Sequence, residues 1–141
     1  MAETPQRQTL EQKRAQYALN CIHQVDALPS LAGKSKYAAL ARKAPATIQS
    51  NGLGQTLAFL RAKAGRDFDN EHGQLYRHVS NWVMGYVKPE APELEKSERL
   101  LEWITQSDSP SYRRAALETQ ALLVWLKRFA EALLPQPDDG E

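Results

Sequence analysis

Apolar residues recur along this chain at helical spacing. The first segment carries them at intervals of seven and four residues: Leu10, Tyr17, Cys21 and Val25. These intervals define one face of an α-helix, predicted from about Leu10 to Leu28. Comparable stripes predict further helices that begin near Ser35, Leu53, Asn70, Glu93 and Ser111. No segment alternates between apolar and polar residues long enough to form a strand, so we expect an all-α, single-domain bundle of about five or six helices.

Proline and glycine mark the predicted helix boundaries. Pro45 falls inside the second helical segment, where we expect it to stop or kink the helix, which would restart with Pro45 in its first turn. Asn51-Gly52 is flanked by helical spacing, so we interpret it as a junction between helices at which Gly52 is free to adopt a positive φ. We expect a helical domain over residues 1–134, followed by a disordered acidic tail over residues 135–141.

The last predicted helix, from Ser111 to Leu134, carries two apolar stripes. Its predicted core face consists of Tyr112, Ala115, Thr119, Leu122, Leu126, Phe129 and Leu133. The second stripe consists of Leu117, Ala121, Val124 and Trp125, with Arg114 and Arg128 at its two ends. The pattern leaves two interpretations open, a central helix covered on both sides or a surface that contacts another protein. Our candidates for a subunit interface are Arg114, Leu117, Val124 and Trp125.

Length and composition narrow the class of protein. The chain has 141 residues, 42% of them hydrophobic and 25% charged, which is typical of one soluble globular domain. It contains no run of about 18 apolar residues that could span a membrane. No apolar stretch follows the N-terminal residues, so we expect no secretory signal. We therefore expect a cytoplasmic protein with no membrane partner.

The net charge of +1 conceals an uneven distribution. Residues 1–66 contain ten lysines and arginines against three acidic residues, whereas residues 67–141 contain eight against fourteen. Between Ala27 and Arg66 there are seven basic residues and no acid. Either the two halves neutralise each other in the fold, or the basic half meets a polyanion. Our first candidates for contact with phosphates are Arg42, Lys43, Arg61, Lys63 and Arg66, although cations at helix C-termini also compensate the helix dipole.

Residues suited to catalysis are sparse. The three histidines, His23, His72 and His78, are too scattered for a metal-binding pair on one helix. The single cysteine, Cys21, lies on the apolar face of the first helix, which indicates a core position rather than a nucleophile. No glycine-rich loop has the spacing that cradles phosphate. We expect no catalytic residue, metal, cofactor or small-molecule substrate.

Several blocks of the sequence resemble one family. They are Arg14-Ala-Gln-Tyr-Ala18, then Lys43-Ala-Pro-Ala-Thr-Ile-Gln-Ser-Asn-Gly-Leu53, and finally Leu122-Leu-Val-Trp-Leu-Lys-Arg-Phe-Ala130. The chain is similar to the small helical subunit of type III-B CRISPR effector (Cmr) complexes. The similarity covers most of the chain, while residues 67–107 match only in helical character.

The resemblance implies a non-catalytic subunit without a cofactor. Members of this family are all-α and stack head to tail as a short inner filament beside the subunits that hold the guide RNA. The implied partners are other Cmr subunits, copies of the same chain, the guide RNA and the target RNA, held through sequence-independent phosphate contacts. Lys127 and Arg128, which lie in the C-terminal matching block, are our second choice for RNA contacts.

Two other classes of function stay open at this point. A helical DNA-binding regulator would use the second and third helices as a helix-turn-helix, although Pro45 and the Asn51-Gly52 junction fit such a turn poorly. A small metal-free nuclease is the third possibility, and it would have to act without any recognisable catalytic group.

Overall fold

A computed structural model describes residues 8–136 of the chain, and this range contains helices and no strand. The seven helices are α1 (Leu10–Asp26), α2 (Leu31–Asn51), α3 (Leu53–Ala64), α4 (Glu71–Val87), α5 (Glu93–Glu98), α6 (Leu100–Gln106) and α7 (Ser109–Leu133). The all-α prediction is confirmed, but the predicted number of helices is wrong. Of the predicted acidic tail, residues 137–141 lie outside the described range.

The additional helix arises because the segment predicted as one helix from Glu93 is divided at Arg99. This residue has φ −112° and ψ 17°, outside regular helix geometry. Two side chains of α4 satisfy the backbone groups that the break leaves without helical partners. The Tyr76 hydroxyl donates to the Glu98 carbonyl at 2.9 Å and accepts from the Leu101 amide at 3.0 Å. The Ser80 hydroxyl donates to the Lys96 carbonyl at 2.6 Å and accepts from the Leu100 amide at 3.2 Å. Tertiary contacts therefore impose the break.

Pro45 does not end the second helix, so the expectation that the helix stops and restarts there is wrong. Helix α2 runs from Leu31 to Asn51 with Pro45 inside it. It begins at Leu31 rather than at Ser35, because the Ser30 side chain accepts from the Gly33 amide at 3.0 Å as an N-cap. Packing offsets the missing proline hydrogen bond, since the inner face of α2 is buried and the Pro45 carbonyl accepts from Gln120 of α7 at 3.0 Å.

Helix α7, the longest, packs against α1, α2, α4 and α6. Its buried residues include Leu122, Leu123 and Leu126, each almost inaccessible to solvent. Burying a side chain of this size stabilises the fold by about 1.5–3 kcal/mol. Of the predicted core stripe, Ala115, Thr119, Leu122 and Leu126 are buried and Tyr112 and Phe129 are partly buried, but Leu133 is 44% exposed. The stripe also missed three buried residues, Glu118, Leu123 and Ala130.

The junction between α2 and α3 packs against the start of α7. Gly52 adopts φ 88° and ψ 161°, a conformation that L side chains rarely reach. Two residues further on, the Gly54 amide donates to the Tyr112 hydroxyl at 2.8 Å. The predicted positive φ at Gly52 is therefore confirmed. The sharp turn lets α2 and α3 diverge from one point, which opens a groove between them.

Candidate nucleic-acid interface

The segment from residue 31 to residue 66, which we call the basic hairpin, comprises α2, the turn at Gly52, α3 and the two residues after it. It contains seven cations and no acid. One of the seven, Lys34, lies 3.6 Å from the Asp26 carboxylate. A second, Arg61, is paired with an acidic residue of α6. Among residues 8–136, no ion pair involves the remaining cations, which are Lys36, Arg42, Lys43, Lys63 and Arg66.

Arg61 is occupied by the fold. Its Nη1 lies 3.3 Å from Glu102 Oε2 and 3.2 Å from the Glu98 carbonyl oxygen. The guanidinium carbon lies 5.5 Å from the ring centroid of Phe68 and 5.3 Å from that of Tyr76, within cation–π range. Arg61 thus holds α3 against α4 and the α5–α6 break. The expectation that it is available to bind phosphate is not supported, and we leave it out of the candidate contacts.

A groove of about 790 Å³ opens between α2 and α3. Its polar side chains include Lys43 and Asn51 of α2 and Gln55 of α3. The Phe59 ring also lines it, is 45% exposed, and meets the His72 ring edge-on at 5.5 Å between centroids. The groove therefore combines an exposed aromatic ring with polar groups from the acid-free basic hairpin.

Helical geometry divides the five unpaired cations into groups. Lys36 lies two turns before Lys43 on the same stripe of α2, and Lys63 lies one turn after Phe59 on α3, so these lysines share the groove side of their helices. Arg42 is turned by about 100° from Lys43 around α2. Arg66 lies just beyond Gly65, the C-cap of α3. Lys36, Lys43 and Lys63 therefore form a set with the groove, whereas Arg42 belongs to the neighbouring side.

Lys127 and Arg128 lie on α7, outside the groove. Lys127 follows Gln120 by seven residues, which places it on the α7 stripe that faces α2. Arg128 is exposed on a different face, together with Arg114. Neither arginine forms an ion pair within the described part of the chain. The structure thus does not gather the seven predicted phosphate contacts into one strip.

The second apolar stripe of α7 is open in the isolated chain. Leu117 is 65% exposed and Val124 is 51% exposed. Trp125 is partly covered, because its Nε1 donates to Glu11 Oε1 of α1 at 2.9 Å and its ring stacks on Phe129 at 5.6 Å. The sequence left a central helix and a contact surface as alternatives. The first alternative, a helix covered on both sides, is wrong, because the second stripe is exposed at Leu117 and Val124, and the contact surface stays a prediction.

A different arrangement of charge lies where α1, α4 and α7 meet, which we call the buried seam. Arg14 of α1 donates to both carboxylate oxygens of Glu118, at 2.7 Å from Nε and 2.8 Å from Nη2. Trp82 of α4 donates its indole N–H to Glu118 Oε2 at 2.8 Å. Burial alone raises the pKa of Glu118, but the hydrogen bonds from Arg14 and Trp82 and the charge of Arg14 outweigh it, so this pKa lies below its ordinary value.

Glu118 was missed by the sequence analysis, although a signal existed. Arg14 interrupts the apolar face of α1, and a cation in such a position requires a partner or an outlet to solvent. The candidate partners are acids on the buried stripes of other helices. Glu118 lies between Ala115 and Leu122 on α7, and both are fully buried.

Buried titratable groups elsewhere are held in their neutral forms. The Tyr37 hydroxyl donates to His78 Nδ1 at 2.7 Å, and His78 Nε2 lies 3.3 Å from the Gln24 side-chain oxygen. Burial lowers the pKa of His78 to about 4. Burial also raises the pKa of the Cys21 thiol to about 12, which disfavours the reactive thiolate. Within residues 8–136, no three His, Cys, Asp or Glu side chains are placed to hold a metal ion.

By its fold and surface, this is a small all-α protein with a basic surface on α2 and α3 and an exposed apolar stripe on α7. A family model described as CRISPR-associated protein (Cas_Cmr5) matches residues 10–133. The chain therefore belongs to the Cmr5 family, the small helical subunits of Cmr complexes. This assignment confirms the resemblance found in the sequence and favours a Cmr subunit over a DNA-binding regulator.

A solved relative supports the same assignment. The crystal structure of a CRISPR-associated Cmr5 family protein from Thermus thermophilus shares 26% sequence identity with this chain. The match has a TM-score of 0.72 and covers 92% of this chain and 100% of the relative.

None of the helices in the described range combines the length and apolar character needed to cross a membrane.

Proposed function

We propose that this chain is a non-catalytic subunit of a Cmr complex that holds guide and target RNA through phosphate contacts made by the basic hairpin. The observation that carries the proposal is the set of five hairpin cations with no ion pair in the described part of the chain. Lysine and arginine bind nucleic acid largely by releasing the counterions condensed on its phosphates. A cation already paired within the protein contributes less to this release, which is why Arg61 is not among the proposed contacts.

The proposed contacts are sequence-independent and are ranked by position. Lys43 and Lys63 come first because they share the groove side of α2 and α3, and Arg42 and Arg66 follow on the adjoining surfaces. Lys127 and Arg128 remain secondary candidates, since they lie on α7. Phosphate contacts fix the position of a protein on RNA without reading its sequence.

We further propose that the exposed stripe of α7 contacts neighbouring subunits, including copies of this chain. Leu117 and Val124 are exposed apolar residues in the middle of this stripe, and Arg114 and Arg128 flank them. The opposite charges of the two halves of the chain suit head-to-tail stacking, because a heterologous contact joins two different and complementary surfaces.

Charge reversal in the assembled complex tests the RNA contact. The change is Lys43→Glu, and its matched control is Lys13→Glu. This control reverses an exposed lysine of α1 that forms no ion pair within residues 8–136, and it alters the net charge equally. Lys43→Glu should weaken target RNA capture for all target sequences alike. It should also reduce the slope of log affinity against log salt by about 0.7 for each single-strand phosphate that the side chain no longer neutralises.

The control variant separates an effect of the basic hairpin from an effect of overall charge. Lys13→Glu should leave both the affinity and the salt slope close to those of the wild type. If both variants weaken binding equally, the effect is one of overall charge and the basic hairpin has no special role. If neither variant changes binding over the salt titration, the hairpin does not contact RNA.

Subunit contact is tested by a matched pair of exposed leucines. Leu117 is 65% exposed on α7 and Leu94 is 66% exposed on α5. Leu117→Asp should reduce incorporation of this chain into the complex, as measured by co-purification, whereas Leu94→Asp should not. Equal incorporation of the two variants would remove the α7 stripe from the proposal.

A further inference from the structure

We infer that the groove between α2 and α3 receives an unpaired RNA base, with Phe59 as its stacking platform. This inference rests on the proposed contact between the basic hairpin and RNA. It adds a base-binding site to what is otherwise a surface for phosphates.

The first supporting observation is the position of Phe59. The ring is 45% exposed on α3, and its aromatic neighbour, His72, meets it edge-on at 5.5 Å. A single exposed apolar side chain is ordinary on a protein surface. This one lines a groove of about 790 Å³, within the size range of small-molecule sites, and does not stand on a convex face.

The polar lining of the groove is the second observation. The side chains of Ser50, Asn51 and Gln55 line it, and none of them forms a hydrogen bond with another group in residues 8–136. Amides and hydroxyls that are free to donate and accept are the groups that proteins use on the edges of splayed-out RNA bases. The groove therefore offers a ring for the face of a base and hydrogen-bonding groups for its edge.

Charge around the groove favours a nucleotide over a protein segment. Lys43 lines the groove, and Lys36 and Lys63 lie on the groove side of the two helices. The carboxylate next to the lining is that of Glu71, whose Oε2 lies 3.2 Å from His72 Nδ1. Protein–protein interface cores are depleted of lysine and serine. Sites for single-stranded nucleic acid combine basic grooves with aromatic platforms, as this groove does.

Two strands of equal charge separate base contacts from phosphate contacts. The full-length chain is titrated at low ionic strength with oligouridylate, whose bases do not stack on one another, and with an abasic ribose-phosphate strand of the same length. Wild-type protein should bind the base-bearing strand about 5- to 100-fold more tightly, the range expected for one base stacked on an aromatic side chain. Phe59→Ala should abolish this preference and leave the affinity for the abasic strand unchanged, whereas Phe59→Trp should retain it.

Tyr86→Ala is the matched control. Tyr86 is 41% exposed on α4 and lines a different cleft, beside Leu10 and Tyr17 of α1. The control variant should keep the wild-type preference for the base-bearing strand. A thermal unfolding curve of each variant verifies that the chain is folded before binding is measured.

The outcomes distinguish this inference from the proposed function. Equal affinity of wild type and Phe59→Ala for the base-bearing strand, with salt-sensitive binding of both strands, overturns the base site and leaves the phosphate contact standing. Absence of binding to either strand overturns both. If Phe59→Ala binds RNA normally but is absent from the assembled complex, the groove is a protein interface and the inference is wrong.

Discussion

The buried seam and the basic hairpin use charge in opposite ways. In the seam, Arg14 meets Glu118 in a two-bond pair, and Trp82 satisfies a further lone pair of the carboxylate. In the hairpin, five cations have no acidic partner within residues 8–136. The comparison shows that the location of charge in the sequence does not reveal its use. A charge that has a partner inside the chain holds helices together, whereas an unpaired one is available to another molecule.

The seam should give the largest response to mutation. Glu118→Ala removes the two-bond partner of the Arg14 guanidinium, which is only 15% exposed, and leaves Glu11, whose Oε1 lies 3.4 Å from Arg14 Nη1, as its remaining acid. Removing one partner of a buried pair costs about 3–5 kcal/mol when the remaining charge is left uncompensated, and the contact with Glu11 should keep the loss near the lower end of this range. We expect the free energy of unfolding, measured with urea, to fall by about this amount.

An exposed glutamate on the same helix provides the control. Glu131 of α7 has no ion pair in the described part of the chain, and Glu131→Ala should change stability by no more than about 0.5 kcal/mol. If Glu118→Ala lowers the free energy of unfolding by less than about 1 kcal/mol, the ion pair of the seam does not hold the helices together.

The inner side of α2 should make stability depend on pH, although its outer side carries the unpaired lysines. Tyr37 of α2 donates to His78, whose pKa is lowered by burial to about 4 from an ordinary 6.5. The unfolded chain takes up this proton below pH 6.5 and the folded chain does not, so the contribution is complete above pH 6.5. It should be lost as pH falls toward 4, by about 2–3 kcal/mol.

Measuring unfolding in urea at a series of pH values tests this dependence. His78→Gln keeps an oxygen that can accept from Tyr37 but cannot titrate, so its stability should vary less between pH 6.5 and pH 5. His23→Gln, which removes an exposed imidazole from α1, should retain the wild-type curve. Identical slopes for wild type and His78→Gln would show that α2 is not held to α4 through a neutral imidazole.

Local sequence patterns were sufficient to locate the helical segments and the junction between α2 and α3, although not the start of α2 or the break between α5 and α6. Spacing of apolar residues located each helical segment, since amphipathic helices bury one face whatever their neighbours are. The positive φ of Gly52 followed from the Asn51-Gly52 pair between two such segments. The family was also accessible from the sequence, because each of its matching blocks, residues 14–18, 43–53 and 122–130, is a continuous run.

Features that depend on contacts between distant residues could not be predicted in this way. The break at Arg99 is held by Tyr76 and Ser80, about twenty residues earlier in the chain. Within the continuous α2, the Pro45 carbonyl accepts from Gln120 of α7, 75 positions away. Periodicity describes one helix at a time, so it does not report which side chains reach the backbone of another element.

The sequence identified the segment that carries the candidate site, but not which of its cations form ion pairs within the fold. The acid-free run from Ala27 to Arg66 identified the basic hairpin as the surface of interest. Within this run, Arg61 and Lys63 were equally good candidates for phosphate contact, although Arg61 faces Glu102 and the Phe68 ring. Two residues along a helix correspond to about 200° of rotation, and only the packing of α3 decides which side meets acids.

Arg61 and Lys63, two positions apart on α3, provide the most sensitive test of the comparison between paired and unpaired charge. Arg61→Gln removes a partly exposed guanidinium from Glu102 and from the Glu98 carbonyl, and should lower stability by about 1 kcal/mol. Lys63→Gln removes a cation that has no acidic partner in the described range, and should change stability by less than about 0.5 kcal/mol. The two substitutions change the net charge equally and lie two positions apart.

The order of the two variants should reverse when RNA capture by the assembled complex is measured instead of stability. Lys63→Gln should weaken capture and reduce its salt slope, because fewer counterions are then released on binding. Arg61→Gln should leave the salt slope unchanged, since its guanidinium is engaged within the fold. If one variant proves the weaker in both measurements, pairing inside the chain does not determine which cations bind RNA, and the division between seam and hairpin has no functional meaning.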